Sequence, residues 1–189
     1  LLLLAGDLFD SADADPGTLE VLMEALADCP ARVFIAPGNH DCCLPGSAYL
    51  HREWPDNVHI FKSPAPEAVT LPELGCRVWG AGFSGARSGP LLSGFRAGSD
   101  GLAEIMVLHG DAVQPDSPYC PVTREQIEGS GLTYLALGHI HMASGLRRAG
   151  ETFYAWPGCA MGRGFDETGV KGCYAGCIEN GSVRLDFQP

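Results

Sequence analysis

This sequence predicts an α/β fold in which two packed sheets are flanked by helices, and three observations carry that expectation. Short apolar runs alternate with amphipathic segments and are separated by turn residues, the pattern of a layered domain around one core. Beyond residue 150 the helical periodicity ends and only strand-like segments follow. The size also fits: 189 residues, 46% of them hydrophobic and 19% charged, suffice for one domain with a full core.

Each element can be justified in chain order. Leu1-Leu2-Leu3-Leu4-Ala5 is a continuous apolar run and reads as a buried strand. Asp15 followed by Pro16 starts a helix: a capping carboxylate precedes a proline whose missing N–H is not needed in the first turn. Leu19, Leu22, Met23 and Leu26 then recur at helical spacing and give that helix one apolar face. Residues 32–36 form the next strand, stopped by Pro37-Gly38, and 58–61 form another. Strands at 76–80 and 105–108 lie on either side of a Gly/Ser-rich stretch at 82–101. Residues 123–128 read as a helix and 133–137 as a buried strand. Strands at 152–156, 172–178 and 182–187 complete the chain. The last two form a hairpin, because Asn180-Gly181 suits the left-handed dihedrals of a two-residue turn. With no internal repeat or linker, residues 1–189 read as one domain.

The net charge is −11, from 12 Lys and Arg against 23 Asp and Glu. Proteins that grip nucleic acid by their own surface are usually basic, because neutralising phosphates drives the affinity. A nucleic-acid substrate would therefore need bound cations or a partner to offset repulsion; the acidic excess otherwise reads as a solubility feature. No apolar run approaches the roughly 20 residues of a membrane span. The opening leucines are too few for a signal-peptide core and have no basic flank. Eight cysteines, without an export signal or C-x-x-C spacing, favour reduced, packed thiols in a cytoplasmic protein.

Four segments carry chemistry, each after an apolar strand: Gly6-Asp7-Leu8-Phe9-Asp10, Gly38-Asn39-His40-Asp41, Leu108-His109-Gly110-Asp111 and Gly138-His139-Ile140-His141. Ligands of α/β sheets gather beyond strand carboxyl ends, so four such loops can meet at one point. Carboxylate, amide and imidazole donors suit hard or borderline divalent cations. His139 and His141, two apart in an extended segment, point the same way and could serve the two ions of a pair about 3.5–4 Å apart. A lone Gly-Asp or Gly-His-x-His is more often only a turn. All four in this order point to a shared metal site. His51 and His59 lack such surroundings and read as surface or packing residues.

These motifs resemble those of the calcineurin-like metallophosphoesterase superfamily, on Asp7, Asn39, His40, His109, His139 and His141. The wording of Leu4-Ala5-Gly6-Asp7-Leu8-Phe9-Asp10, Trp156-Pro157-Gly158-Cys159, Gly162-Arg163-Gly164-Phe165-Asp166-Glu167 and Lys171-Gly172 is similar to the SbcD-like DNA repair exonucleases. The resemblance implies a four-layer αββα sandwich and hydrolysis of phosphodiesters by a hydroxide shared between two metal ions. It implies that Asp7 bridges the ions, that Asn39, His109 and His139 complete one shell, and that His141 binds the other ion. His40 would stand beside the scissile phosphate and protonate the leaving oxygen or stabilise the transition state, with Asp10 orienting it. The cofactors implied are two divalent ions, Mn2+ foremost, with Fe or Zn also compatible. DNA is the implied substrate, an SMC-like coiled-coil ATPase the implied partner, and a homodimer is compatible.

One feature departs from the family pattern. Its members carry an Asp-x-His motif on a strand before Gly6-Asp7, and this chain begins at what would be the second strand. The expectation is an N-terminally truncated catalytic domain with an incomplete second metal site and no cap domain. Two rival functions stay open: a general small-molecule phosphodiesterase or phosphatase, and a catalytically incomplete metal-binding scaffold. Arg163 either contacts a phosphate or DNA strand, or pairs with Asp166 or Glu167. Cys42 and Cys159 lie near the predicted site and could be packing residues.

Overall fold

A computed structural model describes residues 1–165 and 167–189 of the chain. The first layer is a parallel sheet of β1 (Leu2–Leu4), β2 (Val33–Ile35) and β3 (Val58–Ile60), in that order. Helix α1 (Pro16–Ala27) joins β1 to β2, and the single turn α2 (Ala48–His51) lies between β2 and β3. The second layer holds β4 (Glu67–Leu71), β5 (Cys76–Ala81), β6 (Ala103–His109), β7 (Tyr134–Gly138), β8 (Arg147–Ala149) and β9 (Thr152–Ala155). Its order is β4-β5-β6-β7-β9-β8, parallel within and antiparallel at both edges. Helix α3 (Arg124–Gly129) precedes β7, and β10 (Cys173–Glu179) pairs with β11 (Ser182–Gln188) as a hairpin.

Pleating decides which core each side chain joins, since alternate residues face opposite sides of a sheet. In β2, Val33 and Ile35 face α1, where they meet Leu19, Leu26 and Tyr49; Phe34 and Ala36 face the second sheet. In β6, Ile105 and Val107 meet Phe34 and Phe61, while Met106 and Leu108 pack outward with Ile127 of α3 and Phe83. Val183 and Leu185 of β11 and Tyr174 of β10 close the same inter-sheet core. The layers are therefore helix, sheet, sheet, helix, as the sequence predicts. All eight cysteines are free thiols.

The expected strands appear within a residue or two of their predicted ends. Asp15 caps α1 through the Thr18 amide, and Thr123, expected inside its helix, is instead the N-cap, in a reciprocal capping box with Gln126. Three elements were not legible: β4, β8 and α2. The edge strands β4 and β8 have mostly exposed side chains and no apolar alternation, so backbone pairing with β5 and β9 recruits them. Among the described residues no helix is long and apolar enough to cross a membrane.

Candidate metal centre

The four motif loops leave β1, β2, β6 and β7 at their carboxyl ends, two from each sheet. What draws the first two together is Asp41. Its buried carboxylate accepts from Asp7 N (3.1 Å) and Gly38 N (2.7 Å) at one oxygen, and from Leu8 N (2.7 Å) and Tyr49 Oη (2.6 Å) at the other. Four donors on one buried carboxylate are strong, charge-assisted bonds. Burial, followed by the Asp41 charge, pushes the Tyr49 hydroxyl far above its ordinary pKa, so it stays a donor. Close approach also restricts residue choice: a Cβ on Gly38 would run into the Asp7 carboxylate, and one on Gly138 into Ala5 O.

Asp7 itself has φ 53° and His139 φ 82°, left-handed conformations that cost about 1–3 kcal/mol for non-glycine residues. Both are predicted ligands, and the surrounding contacts hold them there. The Asp7 carboxylate accepts from His40 N at 2.9 Å and lies 3.3 Å from His109 Nε2.

His109 is buried and packed edge-on against Phe83. Its Nδ1 lies 2.8 Å from Ala5 O, a carbonyl that can only accept, so Nδ1 carries the proton. In the neutral ring Nε2 is then a bare lone pair, aimed at Asn39 Oδ1 (2.9 Å) and Asp7 Oδ2 (3.3 Å). With the ring neutral and Asn39 Oδ1 facing it, three electron-pair donors converge. That arrangement is repulsive unless a cation or an added proton sits among them, and the oxygen and nitrogen donors fit a divalent cation.

His139 stands beside this group, its ring 5.2 Å from that of His109 and 5.0 Å from that of Tyr119. Its pKa is lowered by burial and by His109, against the opposing pull of Asp111 and Asp7. A neutral imidazole is the form that donates a lone pair to a cation. Asp111 lies 3.8 Å from His139 Nε2 and is itself held by the Val113 and Gln114 amides. Burial raises the Asp111 pKa, but those amides, Ser117 and His139 outweigh it and leave it below the ordinary value.

His40 is exposed, and its Nδ1 lies 3.3 Å from the Asp10 carbonyl. Asp10 was expected to orient His40 through its carboxylate; here the main chain makes that contact. The carboxylate instead pairs with Arg163 at 2.5 Å. This also revises the partner of Arg163, whose main-chain N–H donates to Glu167 at 2.7 Å; Asp166 lies outside the described residues. His141 is apart from the other histidines' contacts: its Nδ1 meets Glu167, and Cys159 Sγ and Lys171 Nζ approach its carbonyl at 3.7 and 3.1 Å.

Asp7, Asn39, His40, His109 and His139 thus come together through direct contacts. Sequence reasoning assigned no role to Asp41 or Asp111, and took Glu167 only as an alternative partner of Arg163. All three stand inside quoted segments, but nothing in their spacing says which amides or rings they reach. His51 is exposed and accepts from Gly46 N, and His59 is packed between aromatic rings, as expected. Cys42 is buried in the outer core of the second sheet.

Residues 1–143 match the calcineurin-like phosphoesterase family. The uncharacterized metallophosphoesterase YhaO of Bacillus subtilis (strain 168) is 36% identical over 197 residues, covering 99% of this chain and 47% of that protein. The chain therefore spans about half the length of this relative. A solved crystal structure aligns with a TM-score of 0.47 at 15% identity, over 75% of this chain and 63% of that one.

Proposed function

The chain belongs to the calcineurin-like phosphoesterase family, and from that premise we propose that it hydrolyses DNA phosphodiesters with two divalent cations, Mn2+ foremost, at the centre described above. Phosphoesterase chemistry with divalent metal ions comes with the family. The DNA substrate, the metal's identity and the residue roles are our reading. The single observation behind it is the convergence of Asp7 Oδ2 and Asn39 Oδ1 on His109 Nε2, the ring nitrogen not taken by Ala5 O.

Asp7 would touch both ions, Asn39, His109 and His139 would hold one, and His141 the other. When bound, such cations acidify water and offset the negative charge of phosphoryl oxygens. The chain supplies the rest. Ala5 O holds the tautomer of His109, and the Asp7 carboxylate anchors the main chain at His40. With Nδ1 donating to Asp10 O, His40 keeps Nε2 as the atom that exchanges a proton with a leaving oxygen.

DNA is favoured by the similarity of residues 4–10 and 156–172 to the SbcD-like nucleases, which also suggests a coiled-coil ATPase partner and allows a homodimer. The net charge of −11 favours a rival reading, a small-molecule phosphodiesterase. The protein is assayed with Mn2+ on linear duplex DNA and on a small chromogenic phosphodiester. Degradation of the duplex is the expected result; turnover of the small ester alone would overturn the nuclease reading, and inertness on both would favour a scaffold. His40→Asn should lower turnover by about 10²–10⁴-fold with bound metal unchanged. Loss of metal in that variant would make His40 a ligand instead.

A further inference from the structure

Three imidazoles of the centre share one feature: each is held at Nδ1 by an oxygen. Ala5 O meets His109 Nδ1 at 2.8 Å, Asp10 O meets His40 Nδ1 at 3.3 Å, and Glu167 Oε1 meets His141 Nδ1. The first two oxygens are main-chain carbonyls just after β1. The third belongs to a side chain 26 residues away from its histidine. His141 has the greatest need of such a partner. The His109 side chain is 1% exposed and fixed by packing, whereas that of His141 is 58% exposed and cannot rely on packing to select its rotamer. An imidazole left free samples several rotamers and both tautomers, and ordering it when an ion binds costs affinity.

Glu167 is itself held in place. Its other carboxylate oxygen accepts from Arg163 N at 2.7 Å, and its own N–H donates to Gly164 O at 3.1 Å. The Arg163 side chain pairs with Asp10, which ties this loop to the one that meets His40. The main chain at His141 is fixed as well, since Lys171 Nζ and Cys159 Sγ donate to His141 O at 3.1 and 3.7 Å. A carboxylate only accepts, so in the neutral ring Nδ1 carries the hydrogen and Nε2 is left as the electron-pair donor. A carboxylate on the far nitrogen also makes an imidazole a stronger metal ligand.

We propose that Glu167 is a positioning residue for His141: it fixes the ring's rotamer and its Nδ1–H tautomer so that Nε2 is the atom offered to the second cation. The proposal deepens the two-cation reading, on which it rests. Asp7 keeps its place on both ions, and Glu167 touches neither.

Glu167→Gln tests the tautomer through the asymmetry of an amide. The amide oxygen takes the Arg163 N–H, which leaves the NH2 to donate to His141 Nδ1, and that contact requires the ring hydrogen on Nε2. Nitrogen-15 spectra of the histidine rings in metal-free protein, in mildly alkaline buffer that keeps imidazoles neutral, read the difference directly. The unaltered protein should show His141 as the Nδ1–H tautomer and Glu167→Gln as the Nε2–H tautomer. In a Mn2+ titration, the equivalent that His141→Ala loses should bind about 10–100-fold more weakly in Glu167→Gln, with the other equivalent unchanged. Arg163→Ala removes the ion pair with Asp10 but keeps the main-chain N–H, so it should leave the His141 tautomer as it was. A tautomer unmoved by Glu167→Gln, undiminished affinity for that equivalent, or the same switch in Arg163→Ala overturns the proposal. An unaltered protein that binds no second equivalent would instead defeat the two-cation reading, while the metal-free spectra still decide whether Glu167 sets the tautomer of His141.

Discussion

Asp41 holds two loops together with one carboxylate, and its neighbours show why no other side chain would serve. Asp7 N and Gly38 N donate to one oxygen, Leu8 N and Tyr49 Oη to the other. Asp41→Asn must turn an amide NH2 toward donors at one of those positions. The expected loss is about 1–3 kcal/mol, the cost of an unsatisfied buried donor. Urea unfolding should show it as a lower midpoint with an unchanged slope. Because the Asp7 backbone hangs from Asp41, metal affinity at Asp7 should fall in the same variant. Asp41 stands next to His40 and was visible in the motif, yet its partners are 33 and 34 residues away in Leu8 and Asp7. Spacing along the chain carries no record of such contacts.

At the scale of the element, strands with their own apolar alternation were legible, and strands made by a neighbour's backbone were not. β3 illustrates a second kind of information that pattern misses. His59, paired in register with Phe34, lies between Phe34 and Phe61 with ring separations of 5.9 and 4.7 Å. Its Nε2 is buried and has no hydrogen-bond partner among the described residues. Burial holds its pKa below the ordinary 6.5, helped by Arg32 and Lys62 and opposed by Glu67. The folded value lies below the unfolded one, so the stability this ring contributes is present above about pH 6.5 and is lost as pH falls through the folded value. His59→Phe should remove that dependence. Unfolding free energies measured at about pH 7.5 and about pH 5.5 should differ less in the variant than in the parent protein.

For the whole molecule, the motif loops join two sheets whose strands meet there only at their ends. A cation bound among Asp7, Asn39 and His109 would link the loop after β1, the loop after β2 and the end of β6, and so stabilise the sandwich by mass action. At about a hundredfold excess over the dissociation constant that linkage is worth about 2.7 kcal/mol. Removing metal with a chelator should therefore lower the thermal midpoint, and restoring Mn2+ should recover it. His109→Ala should abolish most of that metal-dependent shift; an equal shift in the variant would mean that the ion binds elsewhere.

By itself the sequence determined the layered α/β class, the order of the main strands, the capped start of α1 and the loops that carry Asp7, Asn39, His40, His109, His139 and His141. These follow from periodicity, turn chemistry and residue type, which are properties of neighbours in the chain. Only the tertiary structure decided that the Asp10 main chain rather than its carboxylate reaches His40, that Arg163 pairs with Asp10, and that Glu167 and Cys159 gather at His141. It alone set the tautomer of His109, through a carbonyl 104 residues away. Such contacts depend on where two sheets place their loop ends in space, and burial makes each unpaired donor or acceptor expensive enough that the fold must resolve it.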